Sequence, residues 1–150
     1  MARGWFAWET EGYPFWSNLR HARTWRDCRH LPNVTFVHFN DLLSDLAGEI
    51  SALAEFLDIP LLGGTLREVA EAATFDRMNR NADRLLPASD TMIRGGARTF
   101  FYQGTNGRWR DVLTEADLTL YDDAVERELA EPCARWLEGG RRAGTVRWNA

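Results

Sequence analysis

The chain has 150 residues, 45% of them hydrophobic and 27% charged, with a formal net charge of -4. A chain of this length can bury about 70% of its unfolded surface, and the composition is that of an ordinary folded domain, not of a disordered segment. The acidic balance speaks against nucleic acid as a partner, since such binders carry a basic face. All 18 basic residues are arginine, which excludes any chemistry that needs a lysine ammonium. Cys28 and Cys133 lie in helical stretches beside apolar neighbours, with no CxxC or Cys/His cluster. They read as buried thiols, and no metal is expected. The N-terminus from Met1 to Glu9 lacks the apolar stretch of a signal peptide, and no apolar run is long enough to span a bilayer. The expectation is a cytoplasmic protein of one domain over residues 1–150.

Taken in chain order, the first element is a helix from Phe15 to about Arg29, with apolar residues at Phe15, Leu19, Ala22, Trp25 and Cys28. Trp16 and Trp25 should pack beneath it. Leu31-Pro32-Asn33 breaks the helix, and Val34-Thr35-Phe36-Val37-His38-Phe39 reads as a strand buried on both faces. No other segment offers a strand to pair with it. From Leu42 to Leu57, Leu43, Leu46, Ile50, Leu53 and Leu57 mark one amphipathic helix. Gly63-Gly64 makes a turn. Thr65-Leu66-Arg67-Glu68 then has the form of a capping box opening a helix to about Ala73. Thr74 offers an N-cap for a short helix across Phe75 and Met78. Residues 80–108 show no period and read as one long loop. Thr114, with Asp117 three residues later, caps a last long helix through Leu118, Tyr121, Val125 and Leu129. Pro132 opens a short final helix ending at Gly139-Gly140, and residues 141–150 read as a flexible tail.

Four segments carry a resemblance. Phe100-Phe101-Tyr102-Gln103-Gly104-Thr105-Asn106-Gly107-Arg108-Trp109-Arg110 resembles the C-terminal signature of the bacterial and other sulfotransferases that use 3′-phosphoadenosine 5′-phosphosulfate. Tyr13-Pro14-Phe15-Trp16 resembles the opening of the helix before that family's last core strand. Val34 to Asp41, ending Phe39-Asn40-Asp41, resembles the strand whose end carries Tyr-Glu-Asp in many members. Ala73-Thr74-Phe75-Asp76-Arg77-Met78 is similar to the family's Thr-Ser-Phe-x-x-Met segment around the adenine. One such match is weak, but four in the family's order are specific. The resemblance covers nearly all of this chain and about the last half of the family's.

The resemblance implies an α-rich fragment of an α/β, P-loop-like fold, with about five helices and one sheet strand. It implies sulfuryl transfer from 3′-phosphoadenosine 5′-phosphosulfate to an acceptor hydroxyl, and a donor site drawing on Phe39, Thr74, Phe75, Met78, Phe101, Tyr102, Gln103 and Gly104. Phe75 would stack on adenine and Thr74 would bond its edge. The other reading of the same residues is that Phe75 and Met78 are core positions three apart and Thr74 is only a cap. The family's phosphate-binding loop with its lysine, its histidine base and its Arg/Ser pair on the 3′-phosphate would all lie upstream of Met1, so no catalytic residue is expected here. His21, His30 and His38 read as packing or surface groups. At the phosphate loop, Tyr102-Gln103 stands where the family has Arg-Lys, so two cations facing a dianion are absent and weak binding is expected. The unpaired strand 34–39 implies a partner, either a second copy or the missing N-terminal half. The clustered Trp5 and Trp8 are candidates for an exposed apolar patch where the missing half would dock. An interaction module and one half of a split enzyme are the alternative functions.

Overall fold

The computed structural model describes residues 17–62, 64–87 and 91–141, which fold as two compact units: Met1–Asp41 with Gly107–Ala150, and Leu42–Asn106. Tyr13–Trp16, Trp5, Trp8, Gly63 and residues 142–150, singled out above, lie outside the described residues.

The first unit is built on three helices. Helix α1 (Asn18–Asp27) is capped by the Ser17 hydroxyl, which accepts from the Arg20 N–H. It packs against α8 (Glu115–Glu128) and α9 (Glu131–Gly139). Leu19, Ala124, Leu129 and Cys133 are buried between them, with Tyr121, Val125, Trp136 and Leu137 packed around. Thr114 and Asp117 form the reciprocal capping box expected at the start of α8. Leu129 leaves the helix in extended geometry, and Pro132 sits in the first turn of α9, where its missing N–H has no intrahelical partner to lose. Trp25 departs from expectation: it is exposed, with its ring edge-on to His21 at 6.2 Å.

Segment 34–38 is the main correction to the strand reading. It forms no ladder, and the chain turns into helix α2 (Phe39–Ser44) where the strand was expected to end. Among the described residues there is no strand at all, so this segment has no second strand with which to pair. It lies along α9 instead. The rings of Phe36 and His38 meet Trp136 edge-on at 5.7 and 5.2 Å. The His38 Nε2–H donates to the Leu137 carbonyl at 3.0 Å, and Nδ1 accepts the Asn40 N–H at 3.1 Å. One imidazole thus caps the start of α2 and the end of α9. Beside it, Asp41 is 2% exposed, and its Oδ2 accepts from the Arg141 N–H at 3.0 Å and the Arg141 guanidinium at 3.4 Å. Gly140, at φ +78, leaves room for both groups: a Cβ there would lie 2.9 Å from His38 Nδ1 and 2.8 Å from Asp41 Oδ1.

The second unit is a run of helices, each packed on the next: α3 (Leu46–Phe56), α4 (Thr65–Ala72), α5 (Phe75–Arg80), α6 (Ala82–Leu85) and α7 (Gly96–Phe100). The single helix expected over 42–57 is broken at Asp45, whose carboxylate accepts the Gly48 N–H at 3.0 Å and starts α3. A short acidic side chain that can bond the backbone two or three residues on favours a cap over a helix interior. Thr65 lies inside α4, whose cap position is Gly64, so the expected capping box does not form. The stretch read as one long loop holds α6 and α7, and a 3₁₀ turn at Arg108–Asp111 begins where it ends. Five of the nine α-helices among the described residues have eight residues or more, and the other four are single short turns that periodicity does not detect.

Candidate functional site

Within the second unit, two of the segments singled out by sequence meet. Thr74 caps α5: its hydroxyl accepts the Arg77 N–H at 3.4 Å and donates to the Glu71 carbonyl at 2.8 Å. That cap sets the orientation of the first turn, which begins with Phe75. The Phe75 ring rests directly over Gly104, so closely that a Cβ at Gly104 would lie 2.6 Å from Phe75 Cγ. Gly104 also has φ +61, a conformation that side chains rarely adopt. Four residues after Phe75, and so on the same helical face, Asn79 donates its side-chain N–H to the Phe101 carbonyl at 3.2 Å. Phe75 and Asn79 together fasten α5 to the loop of residues 101–104.

Both of the open readings of Thr74 and Phe75 are now constrained. The Thr74 hydroxyl is a cap, and its proton is committed to Glu71, so toward a ligand it can only accept. Phe75 is half-buried, with one side on Gly104, and Met78 is half-buried on the same helix. Phe101 is half-buried and edge-on to Phe100 at 5.5 Å. Tyr102, 66% exposed, and Gln103 project from the loop as neutral groups.

Phe39 belongs to the first unit and is the first residue of a helix, not the last of a strand. Gly107, Arg108, Trp109 and Arg110 also belong to the first unit; the Arg110 guanidinium lies 4.7 Å above the Trp109 ring, and Gly107 has φ +86. His38 has both nitrogens committed to backbone partners, which is a packing role. Among the described residues no group of three His, Cys, Asp or Glu side chains is placed to hold a metal ion. Sequence reasoning missed Asn79. Its spacing from Phe75 was the available signal, because i and i+4 on a helix face the same neighbour.

Residues 6–132 match the family described as the sulfotransferase domain. The chain belongs to the sulfotransferase family. A glycolipid sulfotransferase of Mycobacterium bovis is 34% identical over 114 residues, covering 76% of this chain and 35% of that sulfotransferase. A human relative, sulfotransferase 2B1, is 29% identical over 135 residues, covering 87% of this chain and 36% of its own. The chain thus spans about a third of the length of these sulfotransferases. The crystal structure of mouse sulfotransferase SULT7A1, a complex with PAP, superposes with a TM-score of 0.69 at 19% identity, over 85% of this chain and 46% of that one. The architecture is therefore a helix-rich portion of the sulfotransferase fold. The family match contains Phe39 and the residues from Thr74 to Gly104.

Proposed function

We propose that this chain carries the adenine side of a site for 3′-phosphoadenosine 5′-phosphosulfate and, by itself, transfers no sulfuryl group. The observation that carries the reading is the Phe75–Gly104 contact, reinforced by the Asn79–Phe101 hydrogen bond. It joins the two segments that, by family resemblance, surround the donor's base and its 3′-phosphate. When bound, the donor supplies the sulfuryl group destined for an acceptor hydroxyl.

The residues fit one end of this ligand better than the other. On the base side, the exposed part of Phe75 offers an aromatic surface, and Thr74 Oγ1 can accept an exocyclic N–H. On the phosphate side, Tyr102 and Gln103 can give only neutral hydrogen bonds, about half as strong as those of a guanidinium or ammonium. The site is one for a weakly held nucleotide.

Titration with 3′-phosphoadenosine 5′-phosphate, followed by amide NMR, tests the site even when binding is weak. Resonances of Thr74, Phe75, Phe101 and Gly104 should move together with one binding curve. Shifts confined to other residues, or none at millimolar nucleotide (about 4 kcal/mol of affinity), would contradict the reading.

A further inference from the structure

Among the described asparagines, Asn106 is the one followed by glycine; the others precede Leu19, Val34, Asp41, Arg80 and Ala82. A Cβ on the following residue crowds that residue's backbone nitrogen, and Gly107 has none. Asn18, Asn40 and Asn79 also lie inside helices, whose fixed ψ holds the next nitrogen away from the side-chain carbonyl. Asn106 is exposed and outside every helix, in the chain between α7 and the 3₁₀ turn. Gly107 stands at φ +86, a region open to glycine and strained for other residues. The Arg110 guanidinium lies beside Gly107, in the space a Cβ would fill, and stacks on the Trp109 ring at 4.7 Å. Residues 99–107 carry no charged side chain.

We propose that Asn106 is a site of self-modification, where the Gly107 nitrogen, assisted by Arg110, converts the asparagine to aspartate and isoaspartate with water as co-reactant. The Gly107 N–H gives its proton to hydroxide or a buffer base, and the nitrogen attacks Asn106 Cγ. A C–N bond forms and closes a five-membered ring. The tetrahedral centre collapses by breaking its bond to the side-chain nitrogen, which takes a proton and leaves as ammonia. Water then opens the succinimide. Attack at the side-chain carbonyl restores the normal backbone as aspartate, and attack at the backbone carbonyl routes the chain through the side chain as isoaspartate. The balance is one water consumed and one ammonia released, with no change of oxidation state. Ring closure between neighbouring residues has the high effective concentration of an intramolecular step. The Arg110 cation favours the deprotonated nitrogen and the oxyanion that develops on the Asn106 side chain. The product sets a carboxylate two residues after Gly104, in a stretch that had no charge, and isoaspartate also lengthens the backbone there by one methylene.

Ageing the 150-residue chain at mildly alkaline pH, followed by ion exchange and peptide mapping, tests this. A species with one additional negative charge should accumulate at a rate independent of protein concentration. The change should map to the peptide holding residues 106 and 107, and an isoaspartate-specific methyltransferase should label it. Asn106→Gln, which cannot close the five-membered ring, should abolish that species. Arg110→Gln should retain the helical circular dichroism and slow its formation by about fivefold, the worth of one charge at close range in water. Should that variant lose its helical signal, salt decides on the wild type: screening the guanidinium should slow the reaction. A chain whose charge does not change on ageing overturns the proposal, as does an acidic species that maps to another asparagine or persists in Asn106→Gln. A folded Arg110→Gln chain that ages as fast as wild type, or a rate indifferent to salt, overturns the part assigned to the guanidinium.

Discussion

Gly104 concentrates two demands in one residue: φ +61, and a Phe75 ring lying where a Cβ would go. An alanine there meets both the left-handed backbone penalty and an overpacked contact, together costing about 1–3 kcal/mol. Gly104→Ala should therefore lower the urea midpoint of the Leu42–Asn106 unit and shift the Phe75 ring resonances; an unchanged midpoint with unmoved resonances would show that the contact is not tight. At this scale the sequence was informative where a residue type is required by geometry. Thr74 was legible as the cap of α5, whereas the close approach of Phe75 to Gly104 was not. Nor was Asn79, because an asparagine on a short helix looks like surface until its carbonyl partner is placed. The buried Asp41, held by Arg141 a hundred positions away, was invisible for the same reason.

Caps located two helix starts and misplaced a third, the Thr65 box. Thr114–Asp117 and Thr74 set α8 and α5 as expected, whereas the leucine pattern from Leu43 to Leu57 ran through a break that Asp45 imposes. Strand 34–39 failed for a different reason. Its composition suits burial in a sheet, but a ladder needs a second strand, and local sequence cannot supply one. Packing between elements also sets a response to alkali. Tyr121 on α8 donates its hydroxyl to Glu138 on α9 at 3.1 Å. Burial pushes its ionisation upward, with the Glu138 carboxylate adding to the effect. Burial likewise pushes the Cys133 thiol up, against a smaller opposing pull from Arg26. Both groups are held neutral in the fold beyond the pH at which they would ionise in the unfolded chain. Their contribution is whole below the ordinary thiol and phenol ranges and is lost as pH climbs from those ranges toward the raised ones of the fold. The Tm should accordingly begin to fall above roughly pH 8.5 and fall more steeply above about 10, and Tyr121→Phe should flatten the fall above about 10 only. A Tm constant across the range would contradict this account of the α8–α9 packing.

At the scale of the whole molecule, sulfuryl transfer depends on positioning and on charge stabilisation around the moving group, as phosphoryl transfer does. None of the groups that the family uses for this, by resemblance, stands among the candidate residues here. Purified chain given donor and a phenol or alcohol acceptor should show no turnover above background. Turnover lost on mutating a residue of this chain would refute that. Family membership was legible because four short segments occur in the right order, a signal that survives even where individual residues depart from the pattern. The division into two units was not legible, since no composition shift marks Asp41–Leu42 or Asn106–Gly107.

The loop of residues 101–104 has the aromatic support of Phe75 but no cation at Tyr102 or Gln103. Calorimetric titration of 3′-phosphoadenosine 5′-phosphate into wild type and into Tyr102→Arg with Gln103→Lys tests directly the weak nucleotide binding proposed for it. Wild type should bind more weakly than micromolar, and the double variant about tenfold or more tighter, because two charge-assisted contacts replace neutral ones. Micromolar binding by wild type, about 8 kcal/mol, or a double variant with no gain, would contradict it.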